Sequence, residues 1–265
     1  MPVQVTPRVI LIGETRVDHE GLERMLTHLG CPNWDTDSCS DSELMTEVAG
    51  KLCYLSFSTD LNKNLTRANT RTNSDYVKQQ IVGAKHGSVL EHSTVNFVFL
   101  DVSRVVTHEV VRHRAGTAFS QVSGRYVRTD VITYYMPKVL RDIPGAENVF
   151  KRAFGAMEDG VRELERLSGI DGLKDFSLKK RLTSAFRRII GNGQTNHIMV
   201  SANHRAWRHM IALRTSAAAE EEIRFVFFQV FREMAHRYPA IYADAELTTP
   251  EGETIPEVRF INDKV

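Results

Sequence analysis

The 265-residue sequence has little of what marks several large protein classes. Its cysteines are Cys31, Cys39 and Cys53, odd in number and without a C-x-x-C pair. This argues against a disulfide framework or a zinc or dithiol site, and free thiols in a reducing cytoplasm are expected. No stretch approaches the roughly 18 apolar residues of a membrane span. The opening MPVQVTPR lacks a basic start leading into an apolar block, so a cytoplasmic chain without a membrane partner is expected. Charge of one sign is missing as well: 34 Lys and Arg stand against 33 Asp and Glu. Without a global positive field, dedicated nucleic-acid binding is disfavoured, whereas a local anion pocket is not. P-loop, G-x-G-x-x-G and G-x-S-x-G motifs are also absent, which removes support for P-loop, dinucleotide-fold and hydrolase readings. His108 and His113 lie five apart where H-E-x-x-H needs four, which turns the second imidazole about 140° away. A zinc protease is rejected, and no metal is expected.

What is present is an ordinary globular composition, 42% hydrophobic and 25% charged, in a chain long enough to bury a substantial core. Val9–Ile12 reads as a short strand, Glu20–Leu29 and Ser42–Leu55 as helices, and the stretch from Thr59 to Ser74 as a loop or cover ahead of a helix near Asp75–Lys85. VNFVFL, Val95–Leu100, is the clearest strand. Asp101 then looks like a helix start, with Val102, Val105, Val106 and Val110 at helical spacing up to about Arg112 and Gly116 as the stop. Pro137–Ile170 carries an inserted helix with loops. Helices over about Ser177–Ile190, Ala202–Leu213 and Ala218–His236 close the chain before a polar tail, and the last has an apolar face broad enough to be buried or to meet another subunit.

Two polar clusters could carry chemistry. Arg112, His113 and Arg114 are followed closely by Ser120, Gln121, Ser123, Gly124, Arg125 and Tyr126. Arginine forks beside glycines and hydroxyls suit an anionic small molecule, and a solvated basic loop is the plainer alternative. Farther on, Asn203, Arg205, His209 and Arg214 share one predicted helix, with Arg205 and His209 on one face; an amphipathic helix with a wet face is the alternative there. His92, alone, reads as a core or loop histidine.

The run RHRAGTAFSQVSGRY, Arg112–Tyr126, resembles the signature of the flavin-dependent thymidylate synthases, RHR followed after a short loop by S-x-R-Y; eight residues separate Arg114 from Ser123 here. NHRAWRHMIALR, Asn203–Arg214, is similar to the family's N-x-R-x-L-x-H-F-x-x-L-R helix, and Glu91-His92 matches its upstream E-H. The three motifs stand in the family's order and cover about Ser56 to Pro239.

The resemblance implies reductive methylation of dUMP to dTMP, with methylenetetrahydrofolate as carbon donor, bound FAD as hydride carrier and NADPH as reductant. It implies flavin contacts at Thr94, Arg112, His113, Arg114, Gln121, Asn203, Arg205 and His209. It implies dUMP contacts at Glu109, Arg112, Gln121, Val122, Ser123, Gly124, Arg125, Arg187 and Arg214, with Arg188 as a competitor for Arg187. Arg214 would be the catalytic residue, stabilising the ionised uracil electrostatically, because a guanidinium is not a base at neutral pH. Glu109, Gln121 and Gly191 depart from the glutamine, glutamate and proline of many relatives. The family's sites are shared between subunits of a homotetramer. The implied fold is α+β, a mixed or antiparallel sheet flanked by long helices, as one catalytic domain over 1–265 with an N-terminal extension of about 1–40 and an inserted helical segment near 137–172. Rival readings are a flavoprotein acting on another pyrimidine nucleotide and a non-catalytic nucleotide- or RNA-binding module.

Overall fold

A computed structural model describes residues 1–58, 60–62, 72–128 and 130–262. In chain order the strands are β1 (Val3–Gln4), β2 (Arg8–Glu14), β3 (Thr94–Ser103), β4 (Thr117–Gln121), β5 (Thr133–Tyr134), β6 (Thr195–Asn203), β7 (Ala245–Thr248) and β8 (Glu257–Phe260). The α-helices are α1 (His19–His28), α2 (Asp41–Tyr54), α3 (Asn73–Lys78), α4 (Arg104–Val110), α5 (Lys138–Arg141), α6 (Ala146–Ser168), α7 (Phe176–Phe186), α8 (His204–Thr215) and α9 (Glu221–Arg237). Most of the expected loop over 59–74 lies outside the described residues.

The alternation of VNFVFL builds the centre of the fold. Val95, Phe97 and Phe99 point to one side of β3 and are fully buried, while Asn96, Val98 and Leu100 on the other side stay partly exposed. The antiparallel sheet runs β2-β3-β6-β4, with Phe97 opposite Val200 and Phe99 opposite Ile198. Its buried face carries α8 and α9. Trp207 of α8 meets Phe97 edge-on at 5.2 Å and donates its indole N–H to the Val95 carbonyl at 3.1 Å. The structure is thus α+β, an antiparallel sheet flanked by helices, with β1 and β5 as a separate parallel pair.

Several expectations need correction. Asp101 does not start a helix: it sits at φ 57° where the β3–β6 register shifts, and Ser103 is the cap of α4, its hydroxyl accepting from the Val106 N–H. The helix ends at Val110, and Gly116, at φ 67°, belongs to the turn leading into β4. A Cβ there would stand 2.6 Å from Asn203 Nδ2, so the close approach of turn and α8 requires glycine. Strands β4 and β6 escaped the sequence reading because their outward residues, among them Ser120, His197 and Ser201, dilute the strand signal. Of the two readings of the apolar α9 face, the buried one holds: Ile223, Val226, Phe227, Val230 and Met234 are fully buried in the chain's own core. Nor is the tail merely polar. Tyr242, Val258 and Phe260 join that core, and Arg208 forms a fully buried ion pair with Asp244.

The segment from 130 to 172 builds a satellite core. Ile132, Tyr134, Met136 and Phe154 cluster there, and Tyr134 stacks on Phe154 at 4.9 Å. The Glu158 carboxylate accepts from the Ile132 N–H at 2.7 Å and ties α6 to this region.

Candidate functional site

Two elements supply most of the site. The end of α4 runs directly into Arg112–Gly116, and Asn203 caps the start of α8, its side chain accepting from the Ala206 N–H at 2.8 Å. Because β4 and β6 pair, placing Thr117 opposite Ala202, these two chain turns are held side by side.

Between them lies a cavity of about 620 Å³. Six of the flavin candidates line it: Arg112, His113, Arg114, Asn203, Arg205 and His209. Thr94 and Gln121 do not. Thr94 stands on β3 with its hydroxyl 3.3 Å from that of Thr15, and Gln121 donates from Nε2 to Thr107 Oγ1 at 3.3 Å. Among the described residues Arg112 and Arg114 have no carboxylate partner, whereas Arg205 is paired with Glu91 at 2.5 Å. The tight turn at Gly116 gives the cavity a wall without a side chain.

A second cavity, about 590 Å³, takes Val122, Gly124 and Arg187 from the nucleotide candidates. Arg188 lines it as well, so the structure does not choose between the two arginines. Sequence reasoning passed over Arg104, weighed His108 only as a zinc ligand, and passed over Asn196 and His197; all four line this cavity. The spacing of Arg104 and His108, four apart on α4, was a signal available for the first two. Ser123 and Arg125 lie on the adjoining loop, where the Arg125 N–H donates to Ser123 Oγ at 3.3 Å, and neither lines the second cavity. Lys180 of α7 sits 4.4 Å over the Tyr126 ring and lowers the tyrosine's pKa.

Arg214 stands apart from both linings, held by the end of α4. Its Nη1 donates to Glu109 Oε2 at 2.7 Å, Nη2 to the Glu109 carbonyl at 3.3 Å, and Nε to His113 Nε2 at 2.9 Å. The Glu109 carboxylate, where many relatives have glutamine, is therefore paired with a cation. His113 meets His209 edge-on at 6.0 Å, and burial first, then the Arg214 and His209 charges, push its pKa down to about 4. At neutral pH it is an uncharged acceptor for the arginine.

Arginines without a carboxylate partner among the described residues, a glycine turn and a hydroxyl-bearing loop give the site the chemistry that suits anionic small molecules. Comparison with known proteins is more specific. Residues 36–240 match the family model described as thymidylate synthase complementing protein. Flavin-dependent thymidylate synthases of Mycobacterium avium and Mycobacterium tuberculosis are 36% and 35% identical over 219 residues, 82% of this chain and 84% of theirs. Among solved structures, the UMP/dUMP methylase PolB of Streptomyces cacaoi, bound with 5-Br UMP, aligns with a TM-score of 0.63 at 17% identity, over 92% of this chain and 96% of that one. Thymidylate synthase X of Helicobacter pylori, solved with FAD and dUMP, aligns at 0.57 and 17%, over 90% and 98%. The chain belongs to the flavin-dependent thymidylate synthase family, whose members are methyltransferases of dTMP biosynthesis.

Proposed function

We propose that the protein methylates dUMP reductively to dTMP, taking the carbon from methylenetetrahydrofolate and the reducing equivalents from NADPH, with FAD as the bound flavin. The observation that carries this reading is the convergence of the end of α4 and the start of α8 on one cavity whose Arg112 and Arg114 have no acidic partner among the described residues. Those cations, with Arg205, His209 and Asn203, fit the diphosphate and ribityl parts of FAD; bound there, the flavin would supply the hydride-carrying chemistry. The lining offers few apolar groups for a ring, namely Ala115, Ala206 and Met210. A site completed by another subunit accounts for that, and a homotetramer is part of the proposal. The open face of the sheet supports it: Ile10 and Ile12 are 46% and 53% exposed beside the partly exposed Val98 and Met199.

In this reading Ser123, Gly124, Arg125 and Arg187 hold the dUMP phosphate, with Gln121 and Val122 completing the loop. Glu109 on α4 and Arg112 just after it face the nucleotide, and Thr94 and Gln121 are further flavin contacts. Arg214 stabilises negative charge on the uracil as its N3–H is lost, which is electrostatic rather than base catalysis. The whole chain acts as one catalytic domain in the cytoplasm. Among the described residues no helix is long and apolar enough to cross a membrane.

The fold likeness to a UMP/dUMP methylase makes the ribonucleotide the competitor to test. Purified protein should show flavin absorbance that bleaches on anaerobic NADPH addition. With methylenetetrahydrofolate it should then convert dUMP to dTMP. Preferred methylation of UMP or another nucleotide, or failure to bind FAD at all, would refute the assignment.

A further inference from the structure

Arg214 has five N–H donors, of which three are committed, all to residues at the end of α4. Glu109 takes one through its side chain and one through its carbonyl. His113 takes the third, and this bond fixes the state of the imidazole. A ring that accepts at Nε2 while uncharged carries its proton on Nδ1, and protonating Nε2 would both break the bond and set two cations in contact. The same imidazole forms part of the wall of the cavity assigned above to the flavin. Among the described residues its Nδ1 has no hydrogen-bond partner, so that N–H is free to donate to a group bound there.

We infer that His113 is a positioning residue: its Nε2 holds the Arg214 guanidinium in the orientation used on the nucleotide base, and its Nδ1–H links that orientation to occupancy of the flavin cavity. The inference rests on the reading of Arg214 given above. The end of α4 is then a socket. Glu109 sets the depth of the guanidinium and balances its charge, and His113 sets its rotation, since the two Glu109 contacts hold only the terminal nitrogens, one of them weakly at 3.3 Å, and leave the Nε edge unheld. One N–H on each terminal nitrogen is left as an outward donor edge of defined direction. Fixing that edge before substrate arrives is what an electrostatic catalyst requires. The packing of His209 against the ring and the burial that keeps His113 uncharged serve the same end.

The test compares the protein with its His113→Ala and His113→Gln variants; glutamine offers a carbonyl oxygen as a replacement acceptor. In ligand-free protein carrying nitrogen-15 in arginine and histidine, His113 should show a protonated Nδ1 and a bare Nε2 at pH 7. The Arg214 Nε–H should exchange roughly tenfold faster in His113→Ala and return toward the original rate in His113→Gln. With substrates, His113→Ala should lower kcat roughly 10- to 100-fold while the KM for dUMP shifts less than about threefold, and His113→Gln should regain most of kcat. Flavin fluorescence titration reports FAD binding separately. A protonated Nε2 in the unmodified protein, an Arg214 Nε–H indifferent to His113→Ala, or an unchanged kcat in that variant overturns the inference. Equal loss of kcat in both variants with FAD still bound does so too. An unmodified protein that binds neither FAD nor dUMP overturns the reaction assigned above, and the nitrogen-15 signals report on the clamp independently of that result.

Discussion

Helix α8 carries two arginines in carboxylate ion pairs of the same length, 2.7 Å, and they serve opposite ends. Arg208 and Asp244 are 0% and 1% exposed, and the guanidinium also reaches the Ile241 carbonyl and lies 4.0 Å from the Phe260 ring centroid. Arg214 and Glu109 are 16% and 28% exposed, next to the cavities. Six residues apart, the two side chains leave the helix in directions about 120° apart, one toward the core and the tail, the other toward the end of α4. A charge with no route to water is bound permanently to its counter-ion, whereas one at a cleft can exchange part of its partner set for a ligand. Position on the helix, rather than pair geometry, separates architecture from chemistry.

Breaking the inner pair should have the largest effect. Asp244→Ala leaves Arg208 charged, buried and unpaired and removes the acceptor of the Asn262 N–H, a loss of about 3–5 kcal/mol of stability. Denaturant unfolding would measure it, and a loss below about 1 kcal/mol would mean that the pair is not sealed from water. The outer pair should respond the other way. Arg214→Ala should fold and bind FAD, yet lose roughly 10²- to 10³-fold in kcat for methylation. Unchanged turnover would take Arg214 out of the mechanism.

A smaller effect is expected at the loop proposed to hold the dUMP phosphate. Arg125→Ala should weaken dUMP about tenfold and Ser123→Ala somewhat less, with FAD affinity nearly unchanged, because each removes one charge-assisted contact from an exposed segment. Equal losses of FAD and dUMP in a two-ligand titration would show that the loop has been wrongly assigned.

The contrast also explains what the sequence could reveal. Arg214 was legible because it closes a motif, and Arg112–Arg114 because arginines that dense are conspicuous. Arg208 passed unnoticed: its partner lies 36 residues away in a tail that reads as polar, and burial of a charge leaves no local trace. The strand Val95–Leu100 was legible because five of its six residues are apolar and β-branched or aromatic residues dominate, while β6 was not, since His197 and Ser201 flank Met199 on its open face. The site's split into two cavities was invisible for the same reason as the pairing of β4 with β6: both are long-range. The α9 face was legible as apolar, but periodicity alone does not tell a chain's own core from a partner's surface.

Glu222 sharpens the comparison with a third situation, a buried carboxylate with no cation. It is 3% exposed, accepts from the Ser103 N–H at 2.7 Å where α4 begins, and has no ion-pair partner among the described residues. Burial raises its pKa from 4.5 to about 7, against the opposing pull of the Ser103 hydrogen bonds. A carboxyl whose folded pKa exceeds its unfolded value binds more protons when folded, so stability falls as pH rises from about 4.5 to about 7 and levels off above. Glu222→Gln keeps an acceptor for Ser103 without the charge. Its stability relative to the unmodified protein should therefore rise across that interval and stay constant above pH 7. A difference that is flat from pH 4.5 to 8 would mean that water reaches Glu222 and that burial, which divides Arg208 from Arg214, does not govern this carboxylate.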